Sequence, residues 1–231
     1  MNLTHYIIKR LNRLKNEIID DVPIVKGIKL AGSSAEGYFF ILQFKDIYIS
    51  SDYDIVILLE RYPYIEEVSK IMEILRKPLY RDLIERFLID NLDVRFITLE
   101  YPYKGRGVRV PSIYDGNPKI LKYLISGITI YGENYFKKLI SEVLDSKNQE
   151  ISKYIAYEIL SKREFFKLLA ELNAYDRVAN LLGFKDVVSR IRLLISRYRD
   201  YHRLNSKDLG ELRMECEKVR ESVYKRLRAI S

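Results

Sequence analysis

Residues 51–60 read "SDYDIVILLE", and the nearly unbroken apolar run after Asp54, flanked by charge, is the feature that most restricts the fold. Short and rich in β-branched residues, it reads as a central strand buried on both faces. Asp52 and Asp54 at its start, one residue apart, project to the same side of a strand, about 6.6 Å from each other. Two carboxylates so placed repel. Either they open on water at an exposed strand start, or a hard cation takes their oxygens and neutralises them.

The same logic extends along the chain. "IVKGIKLAG" (24–32) is a second strand closed by glycine, and "NLDVRFITL" (91–99) alternates as a third. In the latter, Leu92, Val94 and Phe96 take one face and leave Asp93 and Arg95 on the other. Beside the Asp52/Asp54 strand it would bring a third carboxylate, Asp93, to the same place. Residues 4–20 carry Ile7, Ile8, Leu11, Leu14 and Ile18 at helical spacing. Pro63 and Pro78 precede periodic segments where helices begin. The Gly- and Pro-rich stretch "YKGRGVRVPSIYDGNP" (103–118) is a loop, followed by "KILKYLI" and a short "GITIYG".

Beyond residue 132 strand signals stop. The expected fold class is α+β: a small mixed-sheet α/β domain over residues 1–140 and an all-α helical bundle over 141–231. Charge divides unevenly, since residues 146–231 hold 19 Lys and Arg against 12 Asp and Glu, in a chain of net charge +8. In "FKDVVSRIRLLISRYRDYHRL" (184–204), Val187, Ile191, Leu194, Ile195 and Tyr198 form an apolar stripe with arginines largely off it. That basic surface is either a solvated face or a footprint for nucleic-acid phosphates.

Cys216 stands alone, and the histidines are His5 and His202. This excludes a disulfide framework or a zinc cluster, so any metal is expected on oxygen. No apolar stretch reaches the roughly 18 residues of a membrane span, and the charged start lacks the pattern of a secretory signal. The expectation is a cytoplasmic protein without a membrane partner. The absence of Trp, the scarcity of Gln (Gln43 and Gln149) and the abundance of Lys, Arg, Glu, Tyr and Ile lean toward a heat-adapted host.

The segment "AGSSAEG" (31–37) places small residues where a strand turns into a helix, which either caps that helix or cradles a phosphate. Taken in order, "GSSAEG", "SDYDIVIL" and "LDVRFI" resemble the DNA polymerase beta-like nucleotidyltransferase superfamily over roughly residues 24–132. The resemblance implies a nucleotide-binding turn at Gly32, Ser33, Ser34 and Gly37, and catalytic, metal-binding carboxylates at Asp52, Asp54 and Asp93. It implies two Mg²⁺ ions, with Mn²⁺ as an alternative, and transfer of a nucleotidyl group from a nucleoside triphosphate such as ATP to a hydroxyl, releasing pyrophosphate. The acceptor is left open among RNA, a small molecule and a protein.

Arg95, Lys104, Arg106 and Arg109 are the expected contacts to acceptor or phosphate, the loop cations acting as a clamp unless the loop is merely a flexible turn. The chain departs from the family pattern in two ways: a long interval between Ser33 and Asp52, read as an extra strand or loop, and Glu36 where many members have Arg. The helical half resembles HEPN domains through Arg197 and His202, and so implies a ribonuclease alternative; His202 also falls on the apolar stripe continued from Ile195 and Tyr198, where a packed histidine is the plainer reading. A catalytically inactive RNA-binding or antitoxin-like module is a further alternative. Expected partners are the nucleoside triphosphate, RNA through the basic helical half, and a second copy of the chain in a homodimer.

Overall fold

The computed structural model describes residues 3–37, 39–44, 47–115, 117–145, 163–198 and 205–230. They fall into two units, one holding the described residues up to Gly37 and from Asp52 to Asp145, the other holding 39–51 and those from Arg163 onward. The fold is mixed α+β, as the sequence predicts.

In the first unit β4 (Tyr53–Leu59) is buried at every position. It runs antiparallel to β1 (Val25–Ala31) and parallel to β5 (Leu92–Thr98), and β6 (Ile128–Tyr131) adds antiparallel to β1. The sheet order is β5-β4-β1-β6. Strand alternation splits its side chains between two layers. Ala31, Val56, Leu58 and Ile97 pack on Ile120, Tyr123 and Leu124 of α5 (Pro118–Ser126) and on Phe136 and Leu139 of α6 (Glu133–Asp145).

On the other face lies α1 (Leu3–Asp21), with Ile7, Leu11, Leu14 and Ile18 buried at the spacing the sequence shows. It packs against β1 and against α3 (Ile65–Arg76). Each such aliphatic side chain, fully buried, contributes roughly 1.5–3 kcal/mol relative to exposure. Asp82 caps the following helix, α4 (Leu83–Asp90), by accepting from the Glu85 N–H at 2.6 Å.

The second unit departs from the all-α expectation. Two further strands, β2 (Ile41–Phe44) and β3 (Ile47–Ser50), pair antiparallel and belong with the helices. Phe40 lies 5.5 Å from the Tyr175 ring and Phe44 5.7 Å from the Tyr224 ring, centroid to centroid. Ile49 joins the core formed by α7 (Arg163–Leu181), α8 (Lys185–Arg197) and α9 (Ser206–Ala229). The expected stripe is buried there through Val187, Ile191, Leu194 and Tyr198, and Asn205 caps α9 in a capping box with Asp208. Cys216 is buried in this core, which pushes its thiol up to about 12. The first unit includes α6 up to Asp145, past the boundary expected at residue 140.

No helix among the described residues is long and apolar enough to cross a membrane.

Candidate functional site

Asp54 and Asp93 face each other as register partners on the parallel strands β4 and β5. Because partners in a parallel ladder share a face, the period-2 pattern of both strands puts the two carboxylates on the side covered by α5. Asp54 is 8% exposed, whereas Asp93 and Asp52 are half-buried. Burial first, then the charge of Asp52, pushes the Asp54 carboxyl up to about 6; Arg95 pulls the other way and Asp93 adds a smaller upward push.

Arg95 follows Asp93 by two residues, so its side chain leaves the same face. Its Nε donates to Asp54 Oδ1 at 3.0 Å and its Nη2 to Asp93 Oδ2 at 2.5 Å. One guanidinium therefore lies between the two acids. Its carbon sits 5.3 Å from the centre of the Tyr123 ring, and the Tyr123 hydroxyl donates to Asp54 Oδ1 at 3.4 Å. Burial, followed by Asp54, pushes the Tyr123 hydroxyl well above the usual phenol range.

The small-residue turn meets this group directly. After β1, the backbone turns at Gly32 with φ of 64° and enters the five-residue helix α2 (Gly32–Glu36). A β-carbon at Gly32 would stand 2.0 Å from Asp54 Oδ2, so only glycine allows the turn to lie against that carboxylate. Ser33 and Ser34 are buried, and the Ser34 hydroxyl donates to the Ala31 carbonyl at 3.1 Å. Gly37 closes the helix in the left-handed region with φ of 77°.

Glu36 has a structural partner set. It pairs with Lys122 at 3.1 Å and accepts from Ser126 at 2.8 Å, both on α5, with 2% of its side chain exposed. A carboxylate at this position thus fastens the turn to the helix that also carries Tyr123.

The donors at this site are carboxylate oxygens, the type hard divalent cations take. Among the described residues no group of three His, Cys, Asp or Glu side chains is arranged to hold a metal ion. The place between Asp54 and Asp93 is held by the Arg95 cation, and Asp52 acts on Asp54 through its charge.

Neither a model of a known protein family nor any curated protein matches this chain.

The remaining sequence-predicted residues lie elsewhere. Lys104, Arg106 and Arg109 follow the far end of β5, whose Thr98 is about 16 Å of strand from Asp93. Of the expected contacts to acceptor or phosphate, only Arg95 lies with the carboxylates. Arg197 is exposed and pairs with Glu211 at 3.3 Å, its guanidinium over the Tyr198 ring. His202 lies outside the described residues.

Sequence reading missed Tyr123, Lys122 and Ser126, because "KILKYLI" signals only an amphipathic helix. Nothing local marks which sheet end it covers.

Proposed function

We propose that this protein is a Mg²⁺-dependent nucleotidyltransferase, moving a nucleoside monophosphate from a nucleoside triphosphate to a hydroxyl acceptor. The observation that carries the reading is the pairing of Asp54 with Asp93 on adjacent parallel strands, pressed against the Gly32 turn. That the pair already binds one cation, the Arg95 guanidinium, supports a site that tolerates positive charge between the two acids.

In this reading Asp52, Asp54 and Asp93 would hold the metal, which when bound would supply charge to polarise the triphosphate and lower the pKa of the acceptor hydroxyl. The Gly32 turn lies directly against Asp54, which brings its backbone beside the carboxylates where the triphosphate would bind. Asp93, half-exposed, takes the proton of the acceptor hydroxyl. The acceptor oxygen then bonds to the α-phosphorus, the bond to the β-phosphate oxygen breaks, and pyrophosphate leaves. Arg95, freed from Asp54 and Asp93, is placed to offset charge on the phosphates. Catalysis rests on positioning and charge neutralisation, with no covalent enzyme intermediate.

The test is incubation with Mg²⁺ and each labelled nucleoside triphosphate, with and without total RNA or cell extract. Transfer of label that is lost in Asp54→Asn supports the reading, and no transfer to any acceptor overturns it.

A second reading is favoured by the same guanidinium. With Arg95 paired to both acids, the site is satisfied without metal, as expected of a nucleotidyltransferase fold retained for binding RNA. RNA binding without transfer is its signature.

A further inference from the structure

The loop that follows β5 is built rather than loose. Gly107 has φ of 81°, and a β-carbon there would come within 2.6 Å of the Pro63 carbonyl oxygen. That close approach lets the Val108 N–H donate to the same oxygen at 2.6 Å. The Tyr103 hydroxyl donates to the Gly107 carbonyl at 2.7 Å, its ring stands edge-on to the buried Tyr62 at 4.6 Å, and the Thr98 N–H donates to the Pro111 carbonyl at 3.0 Å.

What this pinned loop presents is cationic and aromatic. Lys104, Arg106 and Arg109 are exposed, and none makes an ion pair with another described residue, in a chain where many cations do. Arg109 lies 6.0 Å from the Tyr103 ring centre. Tyr101 and Tyr114 are 59% and 57% exposed with ring centroids 6.4 Å apart. The nearby acids are committed to the scaffold: Glu100 accepts from the Tyr62 N–H at 3.0 Å and Asp115 from the Ser112 N–H at 2.7 Å.

Large exposed tyrosine faces beside unpaired cations meet the two requirements for holding an unpaired nucleic-acid strand: π-surfaces for bases and positive charge for the backbone. A loop already fixed in shape loses little freedom on binding. We propose that the 101–114 loop is a binding site for single-stranded polynucleotide, with Tyr101 and Tyr114 stacking on bases and Lys104, Arg106 and Arg109 facing phosphates. It lies at the opposite end of β5 from Asp93 and requires no turnover at the carboxylates, so it stands apart from the proposed reaction.

Fluorescence anisotropy of labelled oligouridylate and oligothymidylate, against the same strands in duplex form, tests this on the full chain. The single strands bind more tightly than duplex, and the RNA and DNA arms tell which polynucleotide is preferred. Lys104→Ala/Arg106→Ala/Arg109→Ala weakens binding and reduces the magnitude of the log affinity against log salt slope by about 2, from three phosphates at roughly 0.7 each. Tyr101→Ala/Tyr114→Ala weakens binding about tenfold or more per tyrosine while leaving that slope unchanged. Both variants spare Tyr103, Gly107 and Val108, and unchanged circular dichroism and melting verify the loop's support. Absence of binding, equal affinity for duplex, or wild-type affinity in either variant overturns the proposal.

Discussion

Arg95 donates from Nε to Asp54 Oδ1 at 3.0 Å, reaching across from β5 to β4 while its Nη2 holds Asp93 on its own strand. Two like charges on neighbouring strands are stable side by side because a third residue on the same face carries the opposite charge. Arg95→Ala leaves Asp54 and Asp93 facing each other, and the half-exposed position of Arg95 keeps the expected loss near 1–2 kcal/mol. Thermal unfolding of this variant shows a lower Tm that millimolar Mg²⁺ raises more than it raises the wild type. Equal Mg²⁺ effects on both would separate Arg95 from any cation site.

Gly32→Ala places a methyl group where Asp54 Oδ2 stands and forces a non-glycine residue to φ of 64°. The turn and the carboxylate cannot both keep their positions. Denaturant unfolding gives a loss of about 2–4 kcal/mol, and the proposed nucleotidyl transfer is expected to fall with it.

Lys29 is buried, 2% exposed, with its ammonium 4.8 Å from the centre of the Phe136 ring and donating to the Leu124 carbonyl. Burial, opposed weakly by Glu133, lowers its pKa from 10.5 to about 8. Between pH 8 and 10.5 the unfolded chain therefore binds more protons than the folded one, so this residue's contribution to stability rises as pH rises through that window. The difference between wild type and Lys29→Met, measured by urea unfolding from pH 7 to 10.5, shifts in favour of the wild type by up to about 3 kcal/mol.

Glu36 and Lys122 form a nearly buried pair, with 2% and 11% of their side chains exposed. Removing one partner strands a charge, so Glu36→Ala costs about 3 kcal/mol in chemical unfolding. The exchange Glu36→Lys/Lys122→Glu recovers part of that loss if the pair itself fastens α2 to α5.

The sheet was legible where burial dictates pattern: the run after Asp54 became β4, the alternation around Asp93 became β5, and the stripe from Ile7 to Ile18 became α1. Residues 41–50 were harder, because their alternation announces extended chain and not its partner. The rings of Phe40 and Phe44 lie against Tyr175 and Tyr224, more than 130 residues away, and no local signal encodes that choice. Glycines in the 103–118 segment likewise suggested a mobile loop. Gly107 instead permits a close approach to Pro63 that holds the loop in place.

The carboxylate pair was anticipated, but its neutralisation by Arg95 was not. Strand periodicity gives the face a side chain leaves from, whereas the partner it finds depends on the register between β4 and β5.

The proposed function is joint action of Asp54 and Asp93 on a metal-bound nucleoside triphosphate. Its most direct test is transfer of label from an α-³²P nucleoside triphosphate to total RNA or cell extract in Mg²⁺, with Asp54→Asn and Asp93→Asn as paired controls of unchanged Tm. The expected result is a labelled acceptor with the wild type and none with either variant. Undiminished labelling by the two variants, or none by the wild type across all four nucleotides, would contradict it.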